Sequence, residues 1–373
     1  MIIGIQREIK NSEYRVGLLP VHVEALRQAG HIVLVEHRAG EGSGAYDAEY
    51  KAAGGKIVRA AREIWRRADL IVKVKEPQPR ELPWLRPGQV VFTYFHFAAD
   101  RALFEAVRRR RIVAIAYETI QLADGSLPLL TPMSEIAGRM AVHEGAKYLE
   151  EPMKGRGLLL AGVPGVAPAK VAILGGGVVG ANAAKMAAGL GADVTILDIH
   201  LDRLRYLDDV MPANVKTLMS NAHNIRTQVR QADLLIGAVL VPGAPAPKLV
   251  GVDLVRQMQR GAVIVDVAID QGGCIATSHP TTHAQPTFLR YGVVHYCVTN
   301  MPGAVARTSP FALTNATFPY VQEIANRGYR AAARDHAALA AGLNIVNGQI
   351  VHRRLAAVFG LPCASLDEAV AGC

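Results

Sequence analysis

The sequence predicts an α/β fold with two domains: a doubly wound Rossmann domain and a second, Rossmann-like α/β domain, with a cleft between them. Three observations support this prediction. The chain has 373 residues, more than the roughly 250–300 residues at which single hydrophobic cores stop growing. Short apolar runs alternate with helix-like stretches to about residue 300, which is typical of parallel sheets. One alternation carries a glycine-rich turn between a strand and a helix.

The composition is that of an ordinary globular protein. Half of the residues are apolar and a fifth are charged, which excludes the low hydrophobicity and high charge of disordered chains. The formal charge of +9 favours small anionic ligands, since a positive field attracts carboxylates and dinucleotides. The one dense basic run, residues 108–111, follows a helical stretch and has no interleaved aromatic residues. It is typical of a solvated helix end, so we expect no nucleic-acid partner.

The cysteines and two apolar segments bear on where the protein works. The cysteines are far apart and show no CxxC spacing: Cys274, Cys297, Cys363 and Cys373. This pattern is typical of reduced thiols in a cytoplasm. Residues 1–5 read as a strand followed at once by charged residues, unlike a signal peptide. The apolar stretch 157–192 is interrupted by prolines and Lys170, so we expect no membrane span and a cytoplasmic location.

The first 128 residues alternate strands and helices. The predicted strands are short apolar runs at 1–5, 32–36, 70–74, 90–94 and 113–117. The predicted helices lie at 19–29, ending at Gly30, at 60–68 and at 101–109. Strands separated by helices indicate a parallel sheet. We interpret residues 1–128 as the first part of a substrate domain.

The rest of the chain comprises a second region of alternating strands and helices, followed by a mostly helical segment. A polar, proline-bearing stretch leads into a predicted connecting helix at 134–150, whose apolar residues fall near one face. The second run begins at Lys170, with later strands at 234–239 and 263–267, and the chain then becomes mostly helical, with pieces at 318–326 and 330–341. We therefore predict a dinucleotide-binding domain at 129–306 and a helical return, 307–373, that completes the substrate domain.

The clearest motif is the glycine-rich turn. The apolar run 171–174 leads into Gly175-Gly176-Gly177-Val178-Val179-Gly180 and then into a helix of small residues, 181–189. In this setting Gly175 permits the tight turn, Gly177 lets the backbone approach a pyrophosphate, and Gly180 lets the helix pack closely on the strand. The pyrophosphate would meet the positive N-terminus of the helix.

An acid at the end of the next strand indicates which dinucleotide binds. That strand, 193–197, ends in Asp198, eighteen residues beyond Gly180. An acid at this spacing accepts the ribose 2′-hydroxyl, and the same carboxylate repels a 2′-phosphate. We therefore predict NAD rather than NADP. Two further acids on later strands, Asp233 and Asp266, are interpreted as structural.

Three residues supply chemistry suited to oxidising an amino acid. Arg15 lies in the loop after the first strand, where a guanidinium can grip a carboxylate through two parallel hydrogen bonds. Lys75 brings an ammonium to the carboxyl edge of the sheet, with Lys73 expected on the same face. His96 stands between two phenylalanines, an aromatic bracket that excludes water, and imidazole is the natural proton carrier near pH 7. A surface arginine, solvated strand-end lysines and a packed core histidine are the alternatives.

Six motifs are spread along nearly the whole chain. They are Lys10-Asn11-Ser12-Glu13-Tyr14-Arg15-Val16, Val72-Lys73-Val74-Lys75-Glu76-Pro77, Tyr94-Phe95-His96, Pro132-Met133-Ser134-Glu135-Ile136-Ala137-Gly138, Val267-Ala268-Ile269-Asp270-Gln271-Gly272-Gly273 and Asn300-Met301-Pro302-Gly303. In these motifs the chain resembles the alanine dehydrogenase family. The resemblance implies NAD-dependent, reversible oxidative deamination of L-alanine to pyruvate and ammonia, by an enzyme that is commonly a homohexamer.

The resemblance also implies roles for individual residues. It assigns the substrate carboxylate and keto oxygen to Arg15 and Lys75, acid–base chemistry to His96, and a further catalytic role to Asp270. It assigns contacts with NAD, beyond those of the glycine turn, to Ser134, Val178, Asp198, Arg203, Ser220, Val239, Leu240, Val267, Ile269, Asp270, Asn300 and Met301.

Two departures from the family pattern concern auxiliary sites. Some relatives carry arginine at the position of His279, near the cofactor. Some bind magnesium through an acid and a histidine one helical turn later, whereas here Glu323 is followed by Arg327. That spacing favours an i,i+4 ion pair, and we predict no metal site.

Three other functions share parts of this pattern. The NAD-binding subunit of a proton-translocating transhydrogenase has the same architecture but should lack an amino-acid site. A lysine- or saccharopine-type dehydrogenase would differ in substrate. A non-catalytic NAD-binding regulator would keep the nucleotide fold and lose the chemistry. The joint presence of Arg15, Lys75 and His96 favours the dehydrogenase acting on alanine.

Overall fold

The computed structural model describes residues 1–239 and 246–371. The chain divides into two compact units: the first comprises Met1–Met133 with Gly303–Cys373, and the second is Ser134–Pro302. Each unit is a mostly parallel sheet with helices packed against it, which confirms the predicted α/β class with two domains. The predicted boundaries, after residues 128 and 306, lie a few residues from these limits.

The first unit begins with six parallel strands. They are β1 (Ile2–Ile5), β2 (Ile32–Glu36), β3 (Lys56–Val58), β4 (Leu70–Val72), β5 (Val90–Thr93) and β6 (Val113–Ala116). The helices between them are α1 (Pro20–Gln28), α2 (Asp47–Ala52), α3 (Ala61–Arg67) and α4 (Arg101–Arg109). Helix α4 ends in arginines, and residues 109–111 are exposed. This confirms the interpretation of the basic run as a helix end.

The second unit begins within a long helix, α5 (Thr131–Tyr148), whose first three residues belong to the first unit. Its elements are β7 (Lys170–Leu174), α6 (Val178–Gly189), β8 (Asp193–Asp198), α7 (Leu201–Val210), β9 (Val215–Met219), α8 (Ala222–Gln231), β10 (Leu234–Gly237), α9 (Val252–Val255), β11 (Val263–Asp266), β12 (Thr287–Arg290) and β13 (Val293–Tyr296). The strand-turn-helix order predicted for 171–189 is present.

The returning segment contains strands as well as helices. Its elements are α10 (Ser309–Asp335), α11 (Ala337–Gly342), β14 (Leu343–Val346), β15 (Gln349–Ile350), α12 (Arg353–Phe359) and α13 (Leu366–Ala371). The regular helical geometry of α10 breaks at Gly328, whose φ is 73°. The prediction of a helical return is therefore incomplete, because β14 and β15 extend the first sheet.

The strand order explains how each sheet presents one ligand-binding edge. The first sheet runs β15-β14-β6-β5-β4-β1-β2-β3, and the second runs β12-β13-β11-β10-β7-β8-β9. All pairings from β6 to β3 and from β13 to β9 are parallel, while β14, β15 and β12 pair antiparallel at the margins. Parallel strands that are buried on both faces are continuous apolar runs. The carboxyl ends of the parallel strands lie at one edge in each unit.

Buried side chains fill a separate core in each unit. In the first, Ile71 and Val91 on the sheet belong to a cluster with Trp65 of α3 and Phe104 of α4, all without exposed surface. In the second, strand residues such as Leu235 and Ile264 pack with Val229 of α8. Among the helices of the described residues, none is both long enough and apolar enough to cross a membrane.

Candidate functional site

Three parallel strands of the first unit end at the same edge of its sheet. The register aligns Ile5 and Val72, the last residues of β1 and β4, with Phe92, the next-to-last residue of β5. The loops that follow these strands carry Arg15, Lys75 and His96, respectively. Ligands of open α/β sheets bind at such an edge, so the structure brings these three predicted residues to one place suited to a small ligand.

Arg15 lies in the interior at this edge, with 2% of its surface exposed. Its Nε donates to Glu13 Oε1 at 2.7 Å, and its Nη2 donates to Glu13 Oε2 at 2.5 Å. Its Nη1 donates to Sδ of Met133 at 3.0 Å. Burial lowers the pKa of Arg15, but the hydrogen bond and charge of Glu13 raise it by more, so the guanidinium stays charged. The alternative of a surface arginine is wrong, and here the predicted parallel hydrogen bonds are made with Glu13.

Lys75 follows β4 in a segment held by a buried carboxylate. Glu8 Oε1 accepts the N–H of Val74 at 2.7 Å and the N–H of Lys75 at 3.3 Å. Lys75 itself is half-buried. Successive amides that converge on one anion form a preorganised concave site. Glu8 therefore fixes the backbone from which the Lys75 side chain projects.

Lys73 was expected on the same face as Lys75, with a solvated strand end as the alternative, but it lies wholly in the interior. Its ammonium pairs with Glu81 at 3.0 Å and with Glu8 at 3.2 Å, and none of the three side chains is more than 2% exposed. Burial lowers the pKa of Lys73, but the two carboxylates raise it by more. Strand β4 ends at Val72, earlier than predicted, and the next residue enters this charged cluster. Lys73 is a structural cation.

His96 is exposed and has a left-handed backbone conformation, with φ 51° and ψ 38°. Its backbone N–H donates to Glu118 Oε1 at 2.6 Å. Its ring is stacked with that of Tyr94, with centroids 5.7 Å apart and an interplanar angle of 4°. The alternative of a packed core histidine is therefore wrong.

The aromatic bracket predicted around His96 is also wrong. Phe95 and Phe97 stack on each other, with centroids 4.5 Å apart, and are 1% and 2% exposed. Both phenylalanines face the core while the imidazole faces outward, so they do not enclose the His96 ring. Tyr94 covers one face of the imidazole instead, and its hydroxyl donates to the Leu129 carbonyl at 2.5 Å.

Three glutamates that sequence reasoning did not single out support this edge: Glu8, Glu13 and Glu118. Glu118 comes two residues after β6, much as Asp198 stands at the end of β8. The same strand-end signal could have identified it. The first two lie in the loop after β1. Glu8 meets its partners, the N–H groups of Val74 and Lys75, only on folding, whereas Glu13 pairs with Arg15, two residues along the chain.

In the second unit, the glycine turn joins β7 to α6. Gly175 has φ 100°, and a Cβ there would lie 2.8 Å from the carbonyl oxygen of Ala238. A Cβ on Gly180 would lie 1.8 Å from the carbonyl oxygen of Gly175, so the helix reaches the strand only because the side chain is absent. A Cβ on Gly177 would meet nothing within 4 Å. The backbone is thus open to a ligand at the helix N-terminus.

Asp198 is the last residue of β8, and its carboxylate faces the glycine turn. Its Oδ2 accepts the N–H of Gly176 at 2.7 Å, and its Oδ1 accepts the N–H of His200 at 2.9 Å. Arg203 donates from Nε to the carbonyl of Gly176 at 2.6 Å. The N–H of Ser220 donates to the Asp198 carbonyl at 2.8 Å. Asp198, Arg203 and Ser220 are therefore gathered at the turn.

The other predicted cofactor residues of the second unit lie on α5, at the start of α6 or in the loops after strands. Ile269 and Met301 are 3% exposed, whereas Asp270 is exposed. Asn300 has a left-handed φ of 61°. The positions are Ser134 on α5, Val178 on α6, Val239 after β10, Val267, Ile269 and Asp270 after β11, and Asn300 and Met301 after β13. Leu240 lies outside the described residues.

Two acids interpreted as structural hold backbone segments of the second unit. Asp266 accepts the N–H of Cys274 at 3.3 Å and that of Ile275 at 3.1 Å, and burial raises its pKa. These hydrogen bonds close the loop that contains Asp270. Asp233 accepts the N–H of Lys170 at 2.8 Å.

The structure shows the contacts of the two positions that depart from the family pattern, His279 and Arg327. His279 stacks on Phe288, with centroids 3.8 Å apart. Glu323 pairs with Arg327 at 3.4 Å, as the i,i+4 spacing predicted, and with His336 at 3.6 Å. Within residues 1–239 and 246–371, no three His, Cys, Asp or Glu side chains are grouped so that they could hold a metal ion.

The glycine turn and the acid after the next strand define a dinucleotide-binding α/β protein. Comparison with known families gives a narrower result, which confirms the resemblance read from the motifs. The family model "Alanine dehydrogenase/PNT, N-terminal domain" matches residues 4–137, and "Alanine dehydrogenase/PNT, C-terminal domain" matches residues 141–353. The chain belongs to the alanine dehydrogenase/PNT family.

Similar proteins align along the full chain. An alanine dehydrogenase of Methanococcus maripaludis is 54% identical over 99% of this chain and 100% of its own length. One from Geobacillus stearothermophilus is 54% identical over 100% of both chains. A solved L-alanine dehydrogenase structure has a TM-score of 0.93 and 54% identity, covering 96% of this chain and 99% of its own. A transhydrogenase from Sinorhizobium meliloti, at 24% identity over 94% of this chain and 99% of its own, has a TM-score of 0.80 and shares the fold.

Proposed function

We infer that this protein catalyses the NAD-dependent, reversible oxidative deamination of L-alanine to pyruvate and ammonia. One observation carries this conclusion. A guanidinium, an ammonium and an imidazole follow three neighbouring strands in a chain that is 54% identical, over its whole length, to proteins named alanine dehydrogenase. We assign substrate binding to the first unit and NAD binding to the second.

The residues of the second unit fit NAD. Gly177 leaves open space beside the N-terminus of α6, where backbone N–H groups and the helix dipole favour a pyrophosphate. Asp198 faces the same turn and supplies an acceptor for a ribose hydroxyl while disfavouring a 2′-phosphate. When bound, NAD accepts a hydride from the α-carbon of alanine.

The residues of the first unit bind and orient the substrate. Arg15 is a permanently charged group and binds the substrate carboxylate electrostatically. Lys75 stabilises negative charge on the oxygen that becomes the carbonyl of pyruvate. Glu13 and Glu8 support this arrangement, because the first holds the Arg15 guanidinium and the second holds the Lys75 backbone.

His96 moves the proton in the hydration step. Loss of hydride from alanine leaves an iminium ion, which water attacks at the α-carbon while His96 accepts a proton from that water. The resulting carbinolamine collapses, releases ammonia and leaves pyruvate. The reverse reaction uses the protonated imidazole. Asp270 is assigned a further catalytic role through the family resemblance, and its place after β11 puts it at the carboxyl edge of the second sheet.

The assembly and location are proposals of the same kind. We propose a homo-oligomer, a hexamer as the family resemblance implies, in the cytoplasm. Light scattering coupled to size-exclusion chromatography measures the mass in solution, and a mass equal to one 40.0 kDa chain would contradict the oligomer.

A spectrophotometric assay tests the activity. The purified chain is incubated with NAD⁺ and each of a panel of L-amino acids, and NADH absorbance is recorded. We expect alanine to give the strongest signal, and we expect pyruvate reduction to require ammonia. Pyruvate reduction that proceeds equally well without ammonia would indicate a hydroxy-acid dehydrogenase. NADH-dependent activity with no amino acid or keto acid, but with a second dinucleotide, would indicate a transhydrogenase.

A further inference from the structure

We propose that Glu118 is the positioning residue for His96. Its carboxylate binds the backbone N–H groups of Phe95 and His96, just after β5, and so fixes the conformation from which the imidazole projects. This inference rests on the proposed function, since it concerns the proton-transfer step assigned to His96. Glu118 acts through His96 and does not itself touch the substrate.

The contacts define a small anion site made of backbone. Glu118 Oε1 accepts the His96 N–H at 2.6 Å, and the Phe95 N–H lies 3.3 Å from Oε1 and 3.2 Å from Oε2. Hydrogen bonds from amides to an ionised carboxylate are shorter and stronger than those between neutral groups. Two successive amides therefore turn toward one carboxylate, which requires a bend between Phe95 and the residue after His96.

The bend places His96 in a conformation that most residues avoid. A φ of 51° with ψ 38° is left-handed, a region that residues other than glycine adopt uncommonly, although histidine adopts it more often than most. Such conformations persist where surrounding contacts over-determine them, and they cluster at functional sites. Without the carboxylate, the backbone would relax toward negative φ. The imidazole would then leave its stacked position on Tyr94.

Glu118 is itself held firmly. Tyr117, on one side, makes edge-to-face contacts with Phe92 and Tyr94, with centroids 4.3 and 4.9 Å away. Thr119, on the other side, donates to the Ala116 carbonyl at 3.2 Å. The backbone that carries Glu118 is therefore fixed by its neighbours, as a support for a catalytic group needs to be.

The chain offers a matched control in Asp100, four residues beyond His96. Its carboxylate also accepts a backbone hydrogen bond, from Leu103 at 2.9 Å, but there it caps the start of α4. Removing that acceptor should lower the thermal unfolding midpoint and leave turnover per folded molecule unchanged. Asp100→Ala therefore shows the effect of losing a helix cap alone, with which the effect of misplacing the imidazole can be compared.

The test compares Glu118→Ala, Glu118→Gln and Asp100→Ala in the full chain, with kcat and KM measured for alanine oxidation. For Glu118→Ala we expect kcat to fall by about 10- to 100-fold, since a misplacement of about 1 Å can cost on the order of 10²-fold. The KM for NAD should change by less than about twofold, because the glycine turn is untouched. Glu118→Gln should retain more activity, since one amide oxygen still accepts the His96 N–H.

The double variant His96→Ala/Glu118→Ala decides whether Glu118 acts through His96. Its kcat should equal that of His96→Ala alone, because a positioning residue has nothing left to position. Wild-type kcat in both Glu118 variants, beside a large loss in His96→Ala, would overturn this inference alone. Near-normal kcat in His96→Ala would overturn the proposed role of His96 as well. If Glu118→Ala fails to fold, Glu118→Gln replaces it, and a fold-change loss of kcat from Glu118→Gln that is as large in the His96→Ala background as in the wild type would overturn the inference.

Discussion

The Lys73 ammonium and the Glu8 carboxylate lie 3.2 Å apart, with side-chain exposures of 0% and 1%. Glu81 completes the cluster, 3.0 Å from the ammonium. A buried cation between two buried carboxylates offsets part of their desolvation cost, and removal of one partner from such a group costs more than the group contributes as a whole. The backbone of Lys75 depends on Glu8, so this cluster also supports the candidate site.

Replacement of Lys73 by methionine should destabilise the first unit by about 3–5 kcal/mol, the usual cost of breaking a buried ion pair. The variant keeps the volume of the side chain and leaves two buried carboxylates without a cation. Chemical denaturation followed by circular dichroism measures the change. Lys51→Met, at an exposed position on α2, is the control and should stay within about 0.5 kcal/mol of the wild type.

The loss in Lys73→Met should shrink as the pH falls from 7 to 5. Burial raises the pKa of Glu8 above its ordinary value of 4.5 even with Lys73 present, and removal of the cation raises it further. A carboxyl group with a raised folded pKa favours the folded state below its unfolded pKa, and this contribution is lost as the pH rises through the folded pKa. A loss of the same size at both pH values would contradict this account of the cluster.

His22 should make the first unit sensitive to acid. Its ring packs against that of Phe318 at a tilt of 37°, with centroids 4.6 Å apart, and its Nδ1 accepts the N–H of Leu19, the N-cap of α1, at 3.2 Å. Burial lowers the pKa of His22 to about 4. The unfolded chain therefore takes up this proton first, so stability is complete above about pH 6.5 and falls as the pH drops toward 4.

The variant His22→Gln should remove that sensitivity, because glutamine keeps the acceptor at this capping position and does not titrate. The wild type should lose on the order of 3 kcal/mol between pH 7 and 4 through this group, at about 1.4 kcal/mol per pKa unit. Unfolding midpoints at several pH values measure the difference. His200→Gln, at an exposed position, is the control, and an equal acid loss in wild type and His22→Gln would exclude His22 as the cause.

The substitutions Gly180→Ala and Gly177→Ala should impair different properties, the first stability and the second NAD binding. At Gly180 the new methyl would lie 1.8 Å from the Gly175 carbonyl oxygen, so we expect destabilisation of at least about 1–3 kcal/mol, as in overpacked cores. At Gly177 the methyl meets no protein atom within 4 Å, and φ is −66°. That variant should fold normally and bind NAD about tenfold or more weakly, because the methyl occupies the pyrophosphate position. Calorimetric titration with NAD and thermal unfolding distinguish the two.

Asp198→Ala should weaken NAD binding and narrow the preference for NAD over NADP. A lost hydrogen bond to a charged acceptor contributes about 1–3 kcal/mol, and removal of the carboxylate also removes its repulsion of a 2′-phosphate. The ratio of kcat/KM for the two cofactors is the sharper measurement. Unchanged kinetics with both cofactors would contradict the assignment of Asp198 to the ribose.

His96→Ala should keep the fold and the NAD affinity but lower turnover by on the order of 10²–10⁴-fold, the usual contribution of a positioned acid or base. The exposed imidazole contributes little to packing, so the unfolding midpoint should hardly move. A lowered unfolding midpoint with near-normal turnover would instead make His96 structural.

The central strands were predictable because buried parallel strands are short, continuous apolar runs. Residues 32–36 and 101–109 were placed with the bounds that the structure shows for β2 and α4. Six other strands, β3, β9 and β12 to β15, were not predicted, and three of them show a physical reason. β3 and β9 are edge strands with polar residues, and β14 carries Asn344 between apolar neighbours. Their pairing partners, rather than their own sequences, make them strands.

The candidate site also has features that could be predicted from the sequence and features that could not. Asp198 could be placed because a strand-end acid after a glycine turn has one common geometry. The bend at His96 could not be foreseen, since its left-handed φ depends on Glu118, which is 22 residues away in the sequence. The charge state and burial of Lys73 likewise depend on Glu8 and Glu81. Sequence reasoning located residue types at the sheet edge, whereas the contacts that orient them arise only on folding.

The antiparallel strand β14 has a consequence for the order of events during synthesis. It pairs with β6, and Asn344 donates to Thr119 at 2.7 Å across 225 positions of the chain. At roughly 5–20 residues per second, a ribosome takes on the order of 10–50 seconds to cover that distance. Throughout this interval the outer edge of β6 has no partner, and the whole of residues 134–302 is synthesised before β14. The nascent first unit therefore carries an open strand edge, the kind of surface that chaperones protect and that promotes aggregation.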